Sequence, residues 1–227
     1  MKNGTENSMG WLRYVALSGP AGQRWVEDFE QVRPLVEMCR SSVKRLQRGG
    51  THAESAALLQ RAREGLDGLK GSVDPSISSA ADRSYYGALG YHFYSQRAFD
   101  EADDSMGRAQ LAVVQTVDRR RWTMGLAYDC LEFELHRARI ARDRCRWDDM
   151  REHAEATAAM RAGRRPFCVL SDGAQVGLLD LRRFYGSLPL TEEDRELVGR
   201  LVEEPPREGE RFVRAMFRLS GFVIEYA

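Results

Sequence analysis

Apolar residues recur along this chain at intervals of three and four and nowhere keep up a sustained alternation with polar ones. From about 21 to 47, Trp25, Val26, Phe29, Val32, Val36, Cys39, Val43 and Leu46 keep a period near 3.6, which places them on one helix face. Pro34 lies inside this run and predicts a kink or a split, because its ring removes an N–H and crowds the preceding turn. Gly49-Gly50 ends the run, and Thr51 with Glu54 three residues later reads as a capping box opening the next helix. Ala56, Leu59, Ala62, Leu66 and Leu69 then line one face of a helix over 52 to about 70, and Gly71 to Ser79, with Asp74-Pro75, reads as a loop. Helix pairs follow at about 80–95 with 98–116 and at about 121–144 with 147–161. Beyond an irregular Gly-Arg-Arg-Pro segment at 163–166, shorter helices are expected from Asp172 to Tyr185, from Thr191 to about Val202 and over about 208–225. Ahead of them all, Trp11, Leu12, Val15 and Ala16 fit a short helix ended by Ser18-Gly19-Pro20. The Val/Ile/Thr-rich, glycine-punctuated runs of a β protein are missing. The expected fold is all-α, built of antiparallel helix hairpins, with residues 1–8 a disordered leader and 9–227 a single helical domain.

Composition narrows this picture only slightly. At 43% hydrophobic and 30% charged the chain is too apolar for disorder, and 227 residues suffice for a sizeable core. A formal net charge of zero gives no overall pull toward nucleic acid or an anionic membrane. Apart from Lys2, Lys44 and Lys70 every basic residue is arginine; the bias of a GC-rich genome accounts for this, and so would carboxylate or phosphate recognition. Cys39, Cys130, Cys145 and Cys168 are too widely spaced for a zinc or redox motif, and each reads as a small buried residue of a reducing cytosol. No apolar leader and no uncharged run of bilayer length is present, so the expected setting is cytoplasmic and away from the membrane.

One stretch carries a more specific pattern. Tyr86, Leu89-Gly90 and Phe93, followed by Phe99, Ala102, Met106 and Ala109, place an aromatic, a Leu-Gly pair and an aromatic on one helix. Bulky and small residues then mark the next. The segment 83–114 resembles a tetratricopeptide repeat, with Gly90 and Ala102 allowing close approach of the two helices. The following hairpin is a weaker likeness: Trp147, Met150, Ala154 and Thr157 fit, as do Ala138 and Ala141, but Arg137 replaces the usual leucine. His52, Ser55, Leu59 and Ala62 repeat the phase again, and the close-packing positions Ser55, Ala102 and Met150 stand about 47 residues apart, beyond the family's spacing of about 34. The resemblance therefore implies a short α-solenoid of elongated repeats with extra terminal helices. Long-helix arrays of this kind occur in bacterial regulators that bind short signalling peptides.

The resemblance also implies a concave groove lined by first helices. The groove-facing offsets fall on Ser84, Gly87, Tyr91 and Tyr94, then on Glu132, Leu135, Arg139 and Arg142. Tyr91, Tyr94, Glu132, Arg139 and Arg142 are the candidate contacts to a protein or peptide segment, aromatics and arginine being suited to such hot spots. Gly87 and Tyr91 stand where chaperone-tail binders carry a carboxylate-clamping Lys and Asn in their first repeat, so that activity does not carry over. The plainer reading of the arginines is a solvated face pairing with neighbours such as Asp143 and Glu132.

Rival chemistry is thinner. Asp129, Glu132 and His136 share a helix face, as an acid–base or divalent-metal pair would, and they supply the alternative of an enzyme or small-molecule pocket. No second Glu-x-x-His completes a di-metal bundle site, so no metal or cofactor is expected. His92, among aromatics, reads as a packing residue, and His153 as surface. Ser18 to Gly22 lacks the Gly-Lys-Ser/Thr ending of a phosphate loop and reads as a turn. Arg119-Arg120-Arg121 and the arginines of 137–146 permit phosphate contact, but interleaved acids disfavour nucleic acid. A terminal helix from Phe212 to Tyr226 offers a face for a homo-oligomer.

Overall fold

A computed structural model of the chain describes residues 20–116, 124–161, 163–169 and 173–177. The chain divides between Thr123 and Met124 into two compact units. In the first unit, α1 (Pro20–Gln47) and α2 (His52–Leu69) form one hairpin, and α3 (Pro75–Ser95) and α4 (Phe99–Thr116) a second. In the second unit, α5 (Met124–Asp143) pairs with α6 (Trp147–Arg161), followed by a ribbon of β1 (Cys168–Val169) and β2 (Gln175–Val176). The described residues are thus all-α apart from that ribbon, whose antiparallel register pairs Cys168 with Val176 and Val169 with Gln175.

Four expectations change at this level. Pro34 does not split α1, which runs unbroken over 28 residues. Pro34 and Glu30, whose carbonyl loses its partner, are both exposed, while Val32 and Val36 on the opposite side are buried at 1% and 6% exposure. Water can satisfy that carbonyl while tertiary packing holds the turn. Asp74-Pro75 is not loop but the start of α3: the Asp74 carboxylate accepts from the Ser76 N–H at 2.8 Å, and proline suits a first turn that needs no N–H. Pro20 likewise lies at the first residue of α1 rather than in a turn. Within the helix expected from Asp172 to Tyr185, the described residues Gln175 and Val176 form β2, paired with β1, and Gly173 ahead of them has φ +79, a left-handed backbone no α-helix contains. The leader 1–8, the helix at 11–17, the arginines 119–121, the rest of 178–185 and the helices at 191–202 and 208–225 lie outside the described residues.

In the first unit α3 packs on α4, α1 and α2. Val32, Val36, Leu66, Val73, Ile77 and Ala81 form the main cluster, with Phe29, Leu35, Leu69 and Tyr85 against it. Ile77 is fully buried, which alone stabilises by about 1.5–3 kcal/mol relative to exposure. Cys39, Leu59, Ala62 and Ala88 form a second cluster nearer the α1–α2 turn. The buried face of α2 carries Ser55, with Ala56 exposed. Arg63 ties α2 to α3: it holds Asp67 through two bonds of 2.6 and 2.9 Å, reaches Asp82 at 3.1 Å and lies over the Tyr85 ring at 5.6 Å. In the second unit Leu135, Ala138, Ala141, Met150 and Ala154 make the core of the α5–α6 hairpin.

The three hairpins turn in the same way. Gly49, Arg97 and Cys145, each 48 residues from the next, have φ of +81, +63 and +59. The residue after each donates to a carbonyl five back: Gly50 to Arg45 at 2.8 Å, Ala98 to Phe93 at 3.0 Å, Arg146 to Ala141 at 2.8 Å. The turn residues themselves donate to Leu46, Tyr94 and Arg142, completing a Schellman closure at all three helix ends. In the same register the first helices bury Ser42, Gly90 and Ala138; counted from its own first residue, each second helix buries its eleventh, Ala62, Ala109 and Thr157. Gly90 shows why the position must be small. A Cβ there would meet Met106 Cε at 2.6 Å and the Ala102 carbonyl oxygen at 3.2 Å.

Candidate functional site

Tyr91 and Tyr94 are one turn apart on α3, half-buried, with ring centroids 6.4 Å apart. Tyr94 also leans on Phe99 across the α3–α4 turn at 6.1 Å, and the Arg97 guanidinium lies over the same ring at 5.9 Å. With Ser84 and Gly87, both half-buried, they form a continuous partly open stripe along α3. An aromatic pair of this kind presents large apolar area with hydroxyls at its rim, and its two χ angles per residue are already restrained by neighbours.

The other three predicted contacts belong to the second unit. Glu132 is exposed on α5, and Arg139 and Arg142 are half-buried. Arg142 Nε donates to Asp143 Oδ1 at 2.7 Å, with both side chains a little over a quarter exposed. Pairing with Asp143 is what the plainer reading of this charged face anticipates. The five candidates therefore fall into two groups: an aromatic pair on α3, and a carboxylate with two guanidiniums on α5.

Two polar networks lie deeper; His92 is the packing residue the sequence suggested, but its partner Ser55 and the whole of the second network were not foreseen. His92 is 6% exposed on α3; its Nδ1 is 3.0 Å from the Oγ of Ser55, itself wholly buried on α2. Its Nε2 is 3.1 Å from the amide nitrogen of Gln96. With Gln96 donating, Nε2 accepts, and the proton on Nδ1 is donated to Ser55. His52 stands edge-on to the same ring, centroids 5.8 Å apart, with its Nδ1 3.4 Å from Ser95 Oγ. Burial, and then the neighbouring His52, hold the His92 imidazole below the usual histidine range. The second network corrects the surface reading of His153. Its Nδ1 lies 2.7 Å from Oε2 of Glu134, which is 8% exposed, so α5 and α6 are joined by a largely buried acid–imidazole pair. The i,i+19 separation hid it. Only the place of His153 one turn after Met150 hinted that this side faces α5.

The Asp129, Glu132 and His136 face does not assemble into a metal cage: among the described residues no group of three or more His, Cys, Asp or Glu stands ready to hold an ion. Burial pushes His136 down to about 4, and Arg139 acts in the same direction, so the ring is neutral at pH 7. The cysteines divide. Cys39 and Cys130 are buried, and desolvation lifts the Cys39 thiol to about 12 and the half-buried Cys168 thiol to about 11, which makes both inert at neutral pH. Cys145 is exposed instead, because it occupies the left-handed residue of the α5–α6 turn. Among the described residues no helix is long and apolar enough to cross a membrane. No family model, no curated protein and no solved structure matches the chain.

Proposed function

We propose that this protein is a binding scaffold of the tetratricopeptide-like kind, which captures a protein or peptide segment on the faces of its first helices. The observation that carries this reading is the recurrence of one Schellman-closed hairpin at 48-residue intervals, with a small buried residue at matched positions of each first helix. Repeated hairpins bury their cores against one another and leave one face per repeat for recognition. Tyr91 and Tyr94 serve as the aromatic contacts in the first unit. In the second unit Glu132, Arg139 and Arg142 supply charge, the two guanidiniums being suited to a carboxylate or phosphate on the ligand. The setting that goes with this reading is a cytoplasmic, regulatory protein of bacterial type.

The test is capture of whatever co-purifies with the native chain, identified by mass spectrometry and then measured against variants. Tyr94→Ala and Arg142→Ala, one in each unit, should each weaken capture at least tenfold while helicity by circular dichroism stays unchanged. Undiminished capture by both variants would overturn the proposal.

A further inference from the structure

Where α2 meets α3, the side chains change from apolar to polar along the joint. At the far end, Leu66, Val73, Ile77 and Ala81 close the contact with hydrocarbon. At the end next to the hairpin turns, the contact is made by Ser55 and His52 of α2 against His92 and Ser95 of α3, with Gln96, just past the end of α3, on the other side of the His92 ring. His92 is the buried member, and its neutral form is the one the geometry accommodates. Ser55 Oγ receives its Nδ1 proton, Gln96 approaches Nε2 as a donor, and the His52 ring stands 5.8 Å away. Adding a proton to Nε2 sets a donor against the Gln96 amide. Gln96 is exposed and can turn its carbonyl inward, so that clash is relieved. What no rotation relieves is a cation at 6% exposure beside a second imidazole. His52 is the group on α2 that bears on His92, and it opposes the proton. Among the described residues no carboxylate on α1, α2 or α4, the helices packed on α3, offsets the new charge: Glu54, the acid nearest in sequence to Ser55, is exposed and engaged with Thr51 and Arg45.

We infer that the Ser55–His92 contact is a proton-sensitive latch between the first and second hairpins: it is closed when His92 is neutral and opens the turn-proximal half of the α2–α3 joint when His92 takes up a proton. The apolar half stays packed, so the opening is a local parting of the ends of α2 and α3 rather than unfolding. Tyr91 and Tyr94 flank His92 on α3, and the latch therefore sets the order of that stripe whatever it binds. Below about pH 6.5, each further unit of acid favours the open form roughly tenfold until the closed form itself protonates.

Hydrogen exchange on the full chain between pH 7.5 and 5.5, corrected for intrinsic rates, tests this. In the wild type, amides of 55–59 and 92–98 should lose protection about tenfold between pH 6.5 and 5.5, while amides of 62–66 and 77–85 keep theirs. In His92→Gln, which keeps a polar group but has no proton to gain, the loss at 55–59 should disappear. In His52→Asn, with the opposing charge removed, the loss should become shallower. Since His92→Gln can fail to fold, the wild-type His92 ring signal followed by NMR gives an independent reading; it should titrate below the usual histidine midpoint, together with the loss of protection. Equal loss in His92→Gln, no loss in the wild type, or a His92 ring titrating at the ordinary midpoint would each overturn the latch.

Discussion

The buried carboxylate of Asp28, on α1, accepts a 2.8 Å hydrogen bond from the backbone N–H of Asp74, the residue that caps α3. Forty-six residues separate the two, so this bond fixes where the second hairpin begins relative to the first helix. Asp28→Ala removes this acceptor from a part-buried contact and should cost about 1 kcal/mol in chemical denaturation. Asp28→Asn keeps an acceptor oxygen and should cost less than half as much. Equal losses would show that packing, not the bond, matters at this position.

Two glycines should respond in opposite directions to the same change. Gly90→Ala forces a Cβ against Met106 and against the rigid Ala102 carbonyl. Overpacking of about 1–3 kcal/mol exceeds the gain of about 1 kcal/mol in helix propensity, so we expect net destabilisation. Gly107, on α4, has open space around its Cα, and Gly107→Ala should stabilise by about 0.5–1 kcal/mol. Melting temperatures moving the same way for both would contradict the packing at the α3–α4 contact.

At the third turn, Cys145 holds a left-handed backbone that a side chain resists. Cys145→Gly should raise stability by about 1 kcal/mol, as glycine already does at Gly49. Arg97→Gly should gain less, because Arg97 also covers the Phe99 ring. A loss of stability in Cys145→Gly would count against the turn geometry.

His136 gives the second unit a pH dependence whose sign follows from its lowered pKa. Its folded pKa of about 4 lies below the unfolded value, so the unfolded chain binds the extra proton. The stabilisation is complete above about pH 6.5 and is lost as the pH falls toward 4, about 3 kcal/mol in all. His136→Gln should therefore lose distinctly less stability than the wild type between pH 7 and 4.5, measured by urea denaturation at each pH. Parallel curves for the two proteins would refute the assignment.

Features governed by local physics were legible in the order of residues alone. The 3.6-residue apolar period placed α1, α2, α4 and α6 to within a few residues, and the Thr51–Glu54 box is present as read, with bonds of 3.0 and 3.2 Å. Gly90 against Ala102 was also legible, because small residues facing each other across a hairpin mark a close crossing of two helices. Packing between helices settled what remained. Proline in α1 left a kink or a split open from the sequence; burial on the opposite face outweighs its lost bond and keeps the helix continuous. His153 looked exposed until Glu134 was placed 2.7 Å from it by a different helix. The same holds for Ser55 with His92: neither residue's neighbours in sequence predict a buried hydrogen bond across 37 positions. A polar side chain carries no periodic signal of its own; whether it is solvated or satisfied inside depends on what the facing helix brings, and that is settled only when the helices pack.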